Sequence, residues 1–586
     1  MNAATRQPGF FVLAVFCLIS VHLQAAFPED STLVYTNTVY FEDDFVEGAA
    51  EYEFFLYQNG SSDNQAIATV SSGSPAFKIN GLVWGQGYLW RVDAFDKNKK
   101  LIRNGPSRRF TLAKRVNSIH FGDIRIDILK NIEAKNSGEF ICIDYAKMIC
   151  DRKGKAVWVM PEIPGLQKNN SQIRDLKVTA DNSLTFLCDN IPVETDLDGN
   201  ILWRLPHPFV FQNDTITFHH VFTKLRDGHY YVLGNKKVKR RVMDAQVAPS
   251  VLRENGFSVT NDSVYKVTDV AIVFEFDNTG RVLWFWDANN YITDADINFK
   301  KNNVGIPILL THANGLTVNH KESKVYVSFR DLNRIIRIDK QSKKVEASFG
   351  EKYPSGDAQW MNGMFEAQHD PNLTKRNTIL ILNNNGARNR KVSSIVEFDA
   401  FPNSKEDPIR WKFDLNFDTL TDGKSPSGGN VIEMPDGNIF LCGGQLNRIF
   451  EVTKNKELVW DAFLYSKGHQ DSTWQKFPQY RASWVRSINL YHFLVKKGTM
   501  IKHNKGVYMF PLTIFNSGDV ADNYLIEMHD EKGGLVYTKK LSTLEPNQNV
   551  NWNIKLKIDD QRSKSMVLTV RSLGCPSKFR KDIVSF

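Results

Sequence analysis

THANGLTVNHKESKVYVSFR, residues 311–330, reads as a strand, a tight polar turn and a second, strongly apolar strand. The same layout returns in FHHVFTKLRDGHYYVLG (218–234), QHDPNLTKRNTILILNN (368–384) and SGGNVIEMPDGNIFLCGG (427–444). In three of these four segments a histidine stands near the start: His220, His312 and His369. A unit that returns in order marks a repeat architecture, and radial packing of the copies brings equivalent positions together.

A second recurrence sets the number of copies. CDRKGKAVW, TDLDGNILW, EFDNTGRVLW, RIDKQSKKVEASF, EFDAFPNSKEDPIRW and EVTKNKELVW each place a polar or Gly turn before an aromatic, and end at Trp158, Trp203, Trp284, Phe349, Trp411 and Trp460. Each reads as a hairpin whose aromatic packs between neighbouring sheets. The intervals between these aromatics, 45 to 81 residues, suit four-stranded units with loop insertions. The expected fold class is all-β: a six-bladed β-propeller over residues 115–490, with β-sandwiches before and after it. Alternating segments such as AEYEFFLYQNG and YLWRVDAFDKNKK assign an immunoglobulin or fibronectin III-like sandwich to 27–114. GVYMFPLTIFN, YLIEMHDEKGGLVYTKKL and SMVLTVRSL assign a second sandwich to 497–586.

At 586 residues and 42% hydrophobic, the chain is globular and long enough for several domains. Its first 26 residues combine one Arg, an apolar run over 10–23 and small residues near Ala25, the layout of a secretory signal peptide. A membrane span wants about 20 apolar residues, more than this run offers. A secreted, extracellular or periplasmic protein with no membrane span is therefore expected. The net charge of +9 is diffuse, with no basic tract interleaved with aromatics, so nucleic acid is not an expected partner. Beyond Cys17 in the leader, Cys142, Cys150, Cys188, Cys442 and Cys575 show no metal-type spacing. A Cys142–Cys150 bridge between neighbouring strands suits an oxidising compartment, whereas Cys188 and Cys442 sit in apolar strands as buried thiols. Sequons at Asn59, Asn169, Asn213, Asn261 and Asn372 permit glycosylation.

In a propeller the innermost strand of each blade lines the axial channel, where His220, His312 and His369 would face one another. Asn314 follows His312 by two residues on the same strand face, Arg330 closes the paired strand, and Arg388 ends the corresponding strand of the next copy. His219, next to His220, is sent by alternation to the opposite face and is carried as a substrate-side residue.

These segments, with FHH at 218–220, QHD at 368–370, NNGAR at 384–388 and YRA at 480–482, resemble the motifs of the bacterial arylsulfate sulfotransferases over roughly residues 130–485. The resemblance implies sulfuryl transfer from an aryl sulfate donor to a phenolic acceptor, without an adenylylated sulfate and without a cofactor or metal. It implies His369 as the nucleophile that becomes sulfurylated, His220 and His312 as the other channel histidines, and Arg330 as the sulfate-binding arginine. Asn314, Arg388 and His219 are the substrate-binding candidates, and a homodimer is one assembly that it allows. Two other classes fit the residues: a metal-dependent hydrolase or lyase on the converging histidines, and a non-catalytic binding propeller.

Overall fold

The computed structural model describes residues 26–585 apart from 61–64, 115–122, 133–139, 167–170, 243–246, 261–262, 300, 302–305, 308–310, 355–359, 387–390, 402–406, 469–470, 489–490, 505, 558–564 and 577. The leader and Arg388 lie outside the described residues. The chain is all-β; the only α-helices among the described residues are the short segments Pro249–Glu254 and Asp294–Phe299.

Six antiparallel sheets fill the middle of the chain. Three of the four opening segments form the first two strands of a sheet, such as Ala313–Asn319 paired with Lys324–Phe329, and the fourth, 218–234, forms the second and third strands of its sheet after Phe209–Phe211. One strand of each sheet touches its counterparts in the neighbouring sheets: Ile173–Val178, Asp214–Lys224, Ala313–Asn319, His369–Leu373, Asn430–Glu433 and Ala482–Val485. These are called the inner strands below. The last of them completes the first sheet, pairing Ala482–Val485 with Phe140–Ile143. At the other edge Asp123–Asn131 pairs with Leu458–Lys467 of the sixth sheet, so two strands far apart in sequence tie the ends of the series together.

The recurring tryptophans explain the order of the sheets. The indole N–H of Trp158 donates to Leu197 O (2.8 Å), that of Trp284 to Lys340 O (2.8 Å) and that of Trp411 to Lys454 O (2.9 Å). Each acceptor lies in the turn of the next copy of the hairpin. Trp460, the last of the series, donates to Arg152 O (2.8 Å), in the turn of the first copy. A large ring buried between two sheets has to satisfy its one polar group, and here that bond links four of the six sheets to the one that follows. Trp203 departs from the pattern: its ring stacks on Tyr230 at 4.0 Å, and its N–H finds no partner among the described residues.

Close approach of two inner strands depends on Gly315, where a Cβ would stand 2.3 Å from the Pro371 ring. Before the six sheets, residues 26–113 form two further sheets around Phe41, Phe54 and Trp90. After them two four-stranded sheets enclose a core that includes Phe510, Ile526 and Leu568. Their first strand, Phe493–Lys497, starts earlier than the boundary read at residue 497. Tyr40 joins the two flanking units, donating to Asp519 (2.8 Å) and stacking on His492 at 4.5 Å.

The five described cysteines are free and buried. Cys142 lies opposite Ile149 and Cys150 opposite Ile141, an offset of one residue that sends the two thiols to opposite faces of their sheet. They pack into different hydrophobic clusters, and the bridge expected between them is not formed. The Asn372 amide is likewise engaged, donating to Asp370 and to Val431 O (3.0 Å) between two inner strands.

Candidate functional site

Five successive inner strands carry a left-handed residue within the strand or immediately before it. These are Asp175 (φ 57°), His220 (φ 59°), His312 (φ 47°), Asp370 (φ 50°) and Gly429 (φ 88°). Left-handed backbone costs a non-glycine residue on the order of 1–3 kcal/mol and persists where the surroundings impose it. Four such residues at one level of the sheets make that level the candidate site. The same feature changes the register expected for the histidines. His220 and His312 are themselves left-handed residues, whereas His369 precedes one. A bulge between Phe218 and Phe222 also breaks the alternation that would have separated His219 from His220, and their Nδ1 atoms lie 2.7 Å apart.

The histidines form a chain. His312 Nε2 lies 3.2 Å from His220 Nε2, and its Nδ1 lies 3.5 Å from Asp331 Oδ2. Asp331 is held below the usual carboxylate range by His312 and Arg330 against the raising effect of burial, so it is an acceptor only. That places the proton of His312 on Nδ1 and leaves its Nε2 to accept from His220. His220 Nδ1 then accepts from His219. Asp331, His312, His220 and His219 are thus connected through hydrogen bonds and one longer ion contact, a path along which a proton can move. Burial pushes His219 down to about 4 and, with His219, His312, His369 and Arg481 nearby, holds His220 well below its ordinary value.

His369 is buried and stands apart from this chain. Its Nδ1 faces Asn384 Oδ1 at 2.6 Å and Ala367 O at 3.1 Å. The Asn384 amide cannot flip without loss, because its Nδ2 donates to Ser425 O (2.7 Å) and Gly428 O (3.2 Å). Two acceptors at Nδ1 require a proton there, so the lone pair is on Nε2, where the Gly428 N–H donates at 3.2 Å. Burial pushes the ring down to about 3; Asn384 opposes this, while the charges of Arg330, Arg481 and His312 add to it. A neutral imidazole with its lone pair fixed on one nitrogen, held there by a single long bond from a backbone N–H, becomes a nucleophile once that bond is given up.

Arg330 bonds Asp331 through Nη1 (2.7 Å), and its backbone N–H donates to His312 O (2.9 Å). Asn314 differs from the expectation of a substrate contact. It is fully buried, its Nδ2 donates to Gln368 O (2.7 Å) and its Oδ1 accepts from Ser328 (2.9 Å), so it holds the strand of His369 against the strand of His312.

Arg481, of the YRA segment, was not among the residues singled out in the sequence. It is buried, with Nε 3.2 Å from Asp175 Oδ1, Nη1 on Asp370 and Nη2 donating to Asn314 O (3.2 Å). It therefore ties together four inner strands, and two of its partners are the left-handed aspartates. Asn384 was also missed, although NNNGAR contains it. Among the described residues no group of three His, Cys, Asp or Glu is arranged to hold a metal ion.

The site is therefore a buried histidine with a fixed tautomer, beside a histidine chain and two arginines, on the inner strands of an all-β protein. A model of the arylsulfotransferase (ASST) family matches residues 141–405. That match, over somewhat less than half of the chain, shows the family resemblance and spans every candidate from His219 to Arg388. The family supports arylsulfate sulfotransferase activity in general. No curated protein matches the chain. Solved structures that it resembles include a protein of unknown function from Bacteroides caccae (12% identity, 60% of this chain and 100% of that one, TM-score 0.36). Another is the extracellular domain of a putative hybrid two-component system from B. thetaiotaomicron (9% identity, 78% of this chain and 55% of that one, TM-score 0.30). A third is a luciferin-regenerating enzyme (7% identity, 61% and 99%, TM-score 0.29). These likenesses are too distant to add to the description of the fold.

Proposed function

We propose that the six sheets are the blades of a six-bladed β-propeller flanked by two β-sandwiches, and that the chain is a secreted arylsulfate sulfotransferase working through a sulfurylated His369. The observation that carries the reading is the tautomer of His369, with Nδ1–H held by Asn384 and Ala367 and the lone pair on Nε2, where an incoming sulfuryl group takes over the Gly428 N–H that now points at the ring.

In the first step the Nε2 lone pair attacks the sulfur of the aryl sulfate, an N–S bond forms and the S–O(aryl) bond breaks. The aryl oxide leaves with the bonding pair, and the His220–His312 chain relays to it a proton taken up from solvent at the partly exposed His312. In the second step the oxygen of an acceptor phenol attacks the same sulfur, the S–N bond breaks and the phenolic proton returns to the chain. Arg330 and the Gly428 N–H are the donors for the sulfuryl oxygens, whose charge has to be held while sulfur moves between two nucleophiles. Asn314 and Arg481 fix the strands that carry these groups, and His219 ends the chain of imidazoles.

The test is release of 4-nitrophenol from 4-nitrophenyl sulfate by wild type and His369→Ala, with and without a phenol acceptor and with a chelator present. Release that rises with acceptor, survives the chelator and vanishes in the variant is expected. Absence of release across a panel of phenols sinks the transferase reading in favour of a binding propeller. Loss of activity with chelator points to the metal-dependent alternative.

A further inference from the structure

Two of the arginines at the histidine cluster are neutralised where they stand: Arg330 by Asp331, and Arg481 by Asp175 and Asp370. Arg174 is not. It is half-buried on the inner strand Ile173–Val178, immediately before the left-handed Asp175, just as His369 precedes Asp370 and His219 precedes His220. It therefore belongs to the same level of the sheets as the proposed nucleophile. Its guanidinium is hydrogen-bonded to the neutral hydroxyl of Tyr145, and its charge also bears on His219. Among the described residues no carboxylate forms an ion pair with it, and its Nε is buried without a hydrogen-bond partner.

Beside it stands an aromatic wall. Tyr145 stacks on Tyr480 at 6.2 Å and 24°, and Tyr480 lies 6.0 Å from the ring of His220. A planar substrate in contact with the histidines would lie along these rings, with its far end toward Arg174. A half-buried cation with no counter-charge is costly unless an anion is delivered to it, and a guanidinium takes a carboxylate or sulfate through two parallel bonds.

We propose that Arg174 receives a second anionic group on the aromatic substrate, so that the preferred acceptor is a phenol carrying an acidic substituent. Which group is transferred rests on the sulfotransferase reading; the binding preference does not.

The experiment compares 4-hydroxyphenylacetate with 4-methylphenol, which differ by a carboxylate insulated from the ring, in calorimetric titrations of wild type, Arg174→Gln and Arg174→Lys. A charge-assisted bond is expected to make the anion on the order of tenfold to a hundredfold tighter in wild type. The preference should vanish in Arg174→Gln and survive in part in Arg174→Lys, with 4-methylphenol unaffected. Equal binding of the two phenols by wild type, or no binding of either, overturns the proposal whether or not the variants fold. So does an anion preference that persists in a normally melting Arg174→Gln. The same phenols as acceptors with 4-nitrophenyl sulfate separate the two readings. A chromophore that is never released removes the transferase assignment, while the titrations still decide on Arg174.

Discussion

Asn384→Asp is the substitution that tests the account of His369 most directly. The exchange keeps an acceptor 2.6 Å from Nδ1 but turns a neutral amide into a carboxylate. In wild type the ring is pushed down to about 3, so it is neutral, and nucleophilic, throughout the range from pH 4 to 8. A full charge about 4 Å from the imidazolium, at an effective dielectric of about 20, is worth about 4 kcal/mol. That is about three pH units and raises the ring to about 6. The sign follows: protonation removes the nucleophile, so the variant should lose rate below about pH 6, falling about tenfold by pH 5, while wild type holds its rate. The carboxylate would also face Ser425 O and Gly428 O, which now receive N–H bonds, at a cost of about 1–3 kcal/mol for each group left unpaired. Circular dichroism is therefore recorded at each pH. The assay is single-turnover release of 4-nitrophenol, quenched into alkali so that the ionisation of the product does not enter. Parallel profiles for the two proteins, or a wild type that already declines near pH 6, would refute the assigned tautomer and its depressed titration.

Three other outcomes follow from the same structure. Arg481→Met leaves Asp370 as an uncompensated buried charge and Asp175 with Lys177 alone, and should lower stability by about 3–5 kcal/mol, read as a large drop in melting temperature. Burial pushes Cys442 up to about 12 and Cys188 up to about 11, so at pH 8 a thiol reagent should label neither in the folded protein and both in guanidinium chloride. His219 is held at about 4, against about 6.5 in an unfolded chain. Its neutral form is the one the fold accepts, so the destabilisation it causes begins below about pH 6.5, grows by about 1.4 kcal/mol per pH unit and is complete below about pH 4. His219→Asn should flatten the acid fall in melting temperature over that interval, and an unchanged slope counts against the buried neutral ring.

Much of this was legible in the chain because it depends on local pattern. The hairpins ending at Trp158, Trp284, Trp411 and Trp460 could be read because turn chemistry and aromatic spacing lie within a dozen residues. Their hydrogen bonds to the next copy then follow from the need to satisfy a buried indole. His220, His312 and His369 could be collected by their place in the segments. Their register could not, because a bulge and a left-handed residue at each of the three histidine-bearing strands override the simple alternation on which the faces were assigned. The same reasoning misplaced Cys142 and Cys150, whose separation depends on a one-residue offset between two strands. Arg481 was quoted but not chosen, since its partners Asp175, Asn314 and Asp370 are brought to it only by tertiary packing. Asn384 escaped notice because an asparagine that sets a tautomer looks, in a sequence, like one that makes a turn.

The pairing of Ala482–Val485 with Phe140–Ile143 has a consequence for how the protein comes to work. Arg481 immediately precedes the strand that completes the first sheet, more than 300 residues after that sheet begins. During synthesis the earlier sheets can assemble, but until this late strand arrives the aspartate at 370 has no counter-charge among the described residues and the one at 175 has only Lys177 (2.8 Å). Completion of the structure and completion of the electrostatics around His369 are therefore a single event. A chain cut or stalled before residue 481 would keep all four histidines of the cluster and still lack the cation that fixes their surroundings. Unfinished molecules would on this basis be silent as catalysts, with no separate inhibitor needed to keep them so.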